Sequence, residues 1–169
     1  MSDKMTIAQA LRRIKKLKGQ IAEHDQRAKA GVSYDQTKVP AFRFKEAVDA
    51  MFTIQDEVVA LDSRVAIANA GNYIQDGDQR VSLAQAIRTL QELKGRIAFL
   101  KGLHLRNETV KDRQTEWDDT EMKQLTRVTE TTFVSDLSEK DRDQQVKVFQ
   151  DRFEVLNNAV EDANHTTMV

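Results

Sequence analysis

The sequence has no cysteine, one proline, six glycines and only 6 % aromatic residues among 169. Without cysteine there is no disulfide framework and no thiolate metal site, which fits a reducing compartment. With so little proline and glycine, few residues are present to interrupt a helix. No apolar run approaches the ~20 residues of a membrane-spanning helix, and the N-terminal segment lacks the apolar stretch of a signal peptide. A cytoplasmic protein is the expectation. An excess of one charge is also missing, because 26 Lys and Arg stand against 27 Asp and Glu. A net charge of −1 gives no overall attraction to nucleic acid or an acidic membrane, and neither is expected as a partner.

What the chain does have is charge in quantity, 31 % of residues, and a repeat. Residues 5–22 (MTIAQALRRIKKLKGQIA) and 81–98 (VSLAQAIRTLQELKGRIA) agree at nine of eighteen positions at a constant offset of 76, where average usage gives about one. Thr6-x-x-Gln9 and Ser82-x-x-Gln85 are capping-box patterns at the start of each copy. Ile7, Leu11, Ile14, Leu17 and Ile21 form an apolar stripe at helical spacing. Leu83, Ile87, Leu90, Leu93, Ile97 and Leu100 form its counterpart.

A second helix follows in each copy. Ala47, Met51, Ile54, Val58, Leu61, Val65 and Ala68 alternate steps of four and three, the 3.5-residue seam of antiparallel bundles. Gly71 stands where a C-terminal cap is wanted. The seam recurs as Val146, Phe149, Phe153, Leu156, Val160 and Ala163, now at an offset of 95, so the second connector is 19 residues longer. Within it, residues 125–134 are rich in β-branched side chains and read as a strand. A partner strand is expected within Glu108–Trp117, with a turn at Asp118-Asp119. Thr37-x-Val39 and Thr132-x-Val134 share the 95 offset and suggest related short strands. Asp76-Gly77-Asp78 is a turn signal, and Pro40 precedes the second helix. The predicted fold is mainly α: one domain over 1–169, made of duplicated helical hairpins (5–74 and 81–169) in an antiparallel bundle, with a small β-hairpin element in the connectors.

No pattern specifies catalysis. His24, His104 and His165 occupy unrelated positions in the two copies, and no H-E-x-x-H, Gly-rich phosphate loop or nucleophile elbow is present. An enzyme is not expected, nor a metal or cofactor. The basic run Arg12, Arg13, Lys15, Lys16 and Lys18 faces an acidic second helix (Glu46, Asp49, Asp56, Glu57, Asp62), so pairing within the chain is predicted. Gly19 and Gly95, kept inside both helices at up to about 1 kcal/mol each, suggest close approach by a neighbour. Among the polar residues both copies retain, Arg12/Arg88, Lys18/Lys94 and Asn69/Asn164 are the candidates for a functional set. They either pair with helical carboxylates and cap helix ends, or converge near a pseudo-twofold axis on a small anionic ligand; His165 joins this candidate set.

Ile7-Ala-Gln-Ala-Leu-Arg-Arg-Ile14, Leu83-Ala-Gln-Ala-Ile87, Asp62-Ser-Arg-Val-Ala-Ile-Ala-Asn69 and Leu156-Asn-Asn-Ala-Val-Glu-Asp-Ala-Asn-His-Thr-Thr167 resemble, in this order, segments of the septicolysin-like family of small bacterial proteins. His165 stands where that family usually has Trp. The resemblance implies a helical fold and a largely uncharacterised function. Three functional readings stay open at this level: a non-enzymatic interaction or scaffolding protein acting as a homo-oligomer, sequestration of a small anionic or nucleotide-like ligand between helices or subunits, and cytolysin-like membrane activity.

Overall fold

The computed structural model describes residues 4–39, 41–118 and 120–169. It contains four helices, α1 (Ile7–Gly31), α2 (Phe44–Gly71), α3 (Leu83–Lys101) and α4 (Glu139–Thr166). Two antiparallel two-stranded sheets accompany them: β1 (Tyr73–Asp76) with β2 (Gln79–Ser82), and β3 (Glu108–Asp118) with β4 (Lys123–Phe133). The fold is α-rich with a minor β component. The chain forms two compact units, Met1–Gln91 with Glu154–Val169, and Glu92–Phe153.

In the first unit α1 starts at a complete capping box. The Gln9 N–H donates to Thr6 Oγ1 at 3.3 Å, and the Thr6 N–H donates to Gln9 Oε1 at 2.9 Å. Ile7, Ala10, Ile14 and Leu17 are buried and Ile21 is half-buried. Leu11 falls at the edge of that arc and is exposed, contrary to the predicted stripe. The α2 seam is buried at Ala47, Val58, Leu61, Val65 and Ala68 and half-buried at Met51 and Ile54. Helices α1 and α2 pack antiparallel. At one end a Cβ on Gly31 would lie 3.1 Å from the Phe42 carbonyl oxygen. Further along, Arg13 Nε donates to Glu57 Oε1 at 2.7 Å.

Gly71 is the last residue of α2 rather than its cap. Asn72 closes the helix, with its backbone N–H (3.0 Å) and Nδ2 (2.8 Å) both donating to the Ala68 carbonyl. The predicted turn at Gly77 is present, with φ of 62°. It is flanked by β1 and β2, which were not expected; four-residue strands carry too little alternation to read. Gly77-Asp78 is a two-residue loop with Gly first, the residue order of a type II′ turn. Ser82 then caps α3 by accepting from the Gln85 N–H at 3.2 Å.

Two junctions in this unit use corresponding residues. The Leu83 N–H donates to the Asn72 carbonyl at 2.9 Å, and the Ile7 N–H to the Thr167 carbonyl at 3.0 Å. Ser82 pairs with Tyr73, and Thr6 bridges to Met168. Residues 7 and 83 differ by 76, and residues 72 and 167 by 95.

The short strand predicted at Thr37–Val39 does not form. Asp35 accepts from the Thr37 N–H (2.9 Å) and hydroxyl (2.8 Å), and the Lys38 N–H donates to the Asp35 carbonyl (2.7 Å). This local turn satisfies backbone groups that a strand would need. Pro40 lies outside the described residues, as does the Asp119 half of the expected hairpin turn.

In the second unit Leu93, Leu100 and Val146 are buried, and the Arg96 guanidinium lies 5.8 Å from the centre of the Phe149 ring. Strands β3 and β4 form an unbroken eleven-residue ladder from Glu108↔Phe133 to Asp118↔Lys123. The ribbon reaches one residue beyond the predicted Trp117. Its base is clasped. The Ser135 N–H donates to Asn107 Oδ1 (2.9 Å), and the Arg106 N–H donates to Ser135 Oγ (2.8 Å). The Arg106 guanidinium stacks 3.7 Å from the centre of the Phe133 ring. Ser138 then caps α4, accepting from the Asp141 N–H at 3.1 Å.

Candidate interaction surface

The retained Arg12 and Lys18 stand on different sides of α1. Arg12 lines an open cleft of about 490 Å³ with Arg13, Lys16, Leu17, Gln20 and Glu57. Arg13 is tied to Glu57 by both Nε and a terminal guanidinium nitrogen, so the predicted pairing of the basic run with α2 is realised at that residue. Lys18 is exposed on α1. Six residues after Arg12, it stands about 120° around the helix and faces away from this cleft. Arg88 is exposed and donates to Gln91 Oε1 at 3.2 Å. Lys94 and His165 are exposed.

Asn69 and Asn164 sit two residues before the ends of α2 and α4, and Asn72, not Asn69, caps α2. The Oδ1 atoms of both Asn69 and Asn164 are buried without a hydrogen-bond partner. A buried acceptor of this kind costs about 1–3 kcal/mol. It calls for a donor such as an ammonium, a hydroxyl or water. An anion would not satisfy it.

Among the described residues of this chain, no neighbour makes the predicted close approach at the two helix glycines. A Cβ added to Gly19 or Gly95 would meet nothing within 4 Å. Their retention is not explained by packing inside this chain.

Two surfaces escaped the sequence reading. The first lies on α2, next to its buried seam. Phe52 (53 %), Val59 (65 %) and Ile67 (73 %) are exposed, Ala66 and Ala70 share that side, and Val48 is half-buried there. Helix α2 is thus apolar on a second side besides its buried seam. In the sequence Val48, Phe52, Val59 and Ala66 each follow a seam residue by one, with Gln55, Asp62 and Asn69 interrupting the series.

The second surface is the β3–β4 ribbon. The described side chains are exposed on both faces apart from Phe133, and neither strand pairs with a third among the described residues. A lone two-stranded ribbon is marginal in water, so its clasped base and unoccupied edges stand out. No group of three or more His, Asp or Glu placed to hold a metal ion occurs among the described residues.

No protein-family model and no curated protein matches the chain. It is similar to a crystal structure of a functionally unknown conserved protein from Corynebacterium diphtheriae, with a TM-score of 0.74 over 99 % of each chain at 14 % identity. At that identity the likeness speaks to the fold alone.

Proposed function

We propose that this protein is a non-enzymatic helical interaction protein that works as a homo-oligomer, joined through the second apolar face of α2. The observation that carries the reading is the self-complementarity of that face. If two α2 helices pack antiparallel about Val59, Phe52 falls opposite Ala66 and Val48 opposite Ala70, so large side chains meet small ones. The acidic flanks do not oppose each other: Asp56 falls near Ser63 of the second copy, and Asp62 near Gln55. Phe52 is half-exposed, and covering it contributes about 1 kcal/mol per copy. Phe52→Ala therefore weakens the dimer by about 2 kcal/mol, roughly thirty-fold in Kd. Val59→Glu opposes two carboxylates and dissociates it. Sedimentation tests this; unchanged mass in both variants rejects the α2 face.

The matching junctions at Ile7/Thr167 and Leu83/Asn72 favour the internal duplication as part of the same proposal, with two helix–connector–helix copies in one antiparallel bundle. Four sequence segments, beginning at Ile7, Asp62, Leu83 and Leu156, support a kinship with the septicolysin-like family.

A second reading has one observation in its favour. The cleft at Arg12, Lys16 and Gln20 gathers cationic and amide donors around an Arg13 that Glu57 already holds, the chemistry of a small-anion site. Native mass spectrometry of protein purified from cells tests it: a retained anion that Arg12→Ala releases favours sequestration, and a bare chain rejects it. Cytolysin-like activity finds no such observation; no described helix is long and apolar enough to cross a membrane.

A further inference from the structure

We infer that the β3–β4 ribbon joins a second copy of this chain through the outer edge of β4, making one four-stranded antiparallel sheet centred on Val128. The inference rests on the homo-oligomer reading but uses a different surface from α2.

The two edges of the ribbon are not equivalent. β3 carries Glu108, Lys111, Asp112, Arg113 and Glu116, the charged composition that keeps an edge strand from pairing. From Gln124 to Phe133, β4 carries only Arg127 and Glu130, among Thr126, Val128, Thr129, Thr131 and Thr132. These β-branched residues favour a pleated, paired strand. The ladder runs without a bulge over all eleven pairs, and neither strand contains proline. Bulge and proline are thus absent from β4, and its charges are limited to Lys123, Arg127 and Glu130.

Register decides between the edges. Two copies of an edge strand related by a twofold axis pair antiparallel, and complete overlap places the central residue against itself. For β3, spanning 108–118, that residue is Arg113, and two guanidinium groups would be directly opposed. For β4, spanning 123–133, it is Val128, and two branched aliphatic side chains meet. Around that centre, Arg127 falls opposite Thr129, Thr126 opposite Glu130 and Gln124 opposite Thr132, with no like charges directly opposed. The two Arg127 side chains become diagonal neighbours. Each has Asp112 and Glu116 as diagonal neighbours on its own β3, two residues either side of its partner Gln114. Glu130 is already held by Lys111 at 2.6 Å and can accept in addition from the Thr126 hydroxyl of the second copy. Full overlap satisfies roughly ten backbone groups per edge that otherwise face water.

Charge exchange at the self-paired position tests this register. Val128→Lys and Val128→Glu, each alone, place like charges in direct opposition and should weaken association by roughly tenfold or more. Mixing them restores the wild-type assembled mass, because lysine then meets glutamate. Far-UV circular dichroism shows whether each variant keeps its fold, and Val110→Glu, which faces Thr131 of its own β4 and would oppose Glu116 in a seam of two β3 strands, should leave the mass unchanged. Single variants with unchanged assembled mass, or folded variants whose mixture does not reassociate, overturn the inference. A change on Val110→Glu alone also overturns it, by pointing to β3. Wild type that is monomeric at 100 µM (about a hundred times a micromolar Kd) overturns both this inference and the homo-oligomer reading. An assembly broken by Val59→Glu and untouched at Val128 overturns the ribbon edge only.

Discussion

Replacing Gly19 and Gly95 by alanine is expected to stabilise the chain. Both are interior helical residues, Gly19 in α1 and Gly95 in α3. Glycine in such a position costs about 0.5–1 kcal/mol relative to alanine, because the flexible unfolded chain is favoured. That gain is realised only if the added methyl has room, and at both sites nothing lies within 4 Å. The double variant should therefore gain about 1–2 kcal/mol. For a chain of this length each kcal/mol moves Tm by about 2–4 °C, so thermal unfolding followed by circular dichroism should shift upward by about 2–8 °C. Gly31→Ala supplies the contrast. Its Cβ would lie 3.1 Å from the Phe42 carbonyl oxygen and 3.3 Å from the Phe44 nitrogen, both backbone atoms, and a loss of about 1–3 kcal/mol is expected. A lower Tm for the double variant would refute the reasoning. So would a drop in assembled mass, since it would place these glycines against a second copy; measuring at two protein concentrations separates the two effects.

The caps should behave alike in both halves: Thr6→Ala and Ser82→Ala each cost about 1 kcal/mol in chemical unfolding, with Thr6 the larger loss because its capping box is closed from both sides. Acid should open the Asp35 turn. The Thr37 N–H, and then the Thr37 hydroxyl, hold the Asp35 carboxyl below the usual carboxylate range. The turn is therefore favoured above that range and lost as pH falls through the lowered value. Protection of the Thr37 amide, read as exchange relative to the unprotected rate at each pH, should fall on acidification, and Thr37→Val should weaken the effect; protection that does not respond to Asp35 protonation contradicts the assignment. At the ribbon tip Met122 has φ of 48°, a left-handed conformation that disfavours a side chain by about 1–2 kcal/mol. Met122→Gly should leave the ribbon's thermal stability unchanged or raised, and Met122→Val should lower it.

Period and capping chemistry made the helices readable. Thr6-x-x-Gln9 marked the start of α1, and the 3.5-residue seam from Ala47 to Ala68 named the buried face of α2. The long ribbon was legible because 125–133 is dense in β-branched residues. The hairpin at Tyr73–Ser82 was not, since its strands are four residues each and only its Gly77 turn carries a signal. Thr37–Val39 failed for a local reason: the Asp35 carboxylate offers hydrogen bonds that a strand would otherwise make.

The candidate surfaces were harder to see. Retention in both copies drew attention to Arg12/Arg88 and Asn69/Asn164, but Lys18 turns away from Arg12, and the asparagine oxygens lack donors rather than offering them. What distinguishes α2 is a second apolar series beside the seam. A single buried stripe and a doubly apolar helix differ only in side chains whose exposure the fold determines, such as Phe52, Val59 and Ile67.

Solution mass by analytical ultracentrifugation from 1 to 100 µM, the range over which a micromolar Kd is crossed, is the most direct test of self-association. The homo-oligomer reading predicts a species of at least twice the 19.3 kDa chain mass, falling on dilution and dissociated by Val59→Glu. A single 19.3 kDa species across the whole range would contradict it.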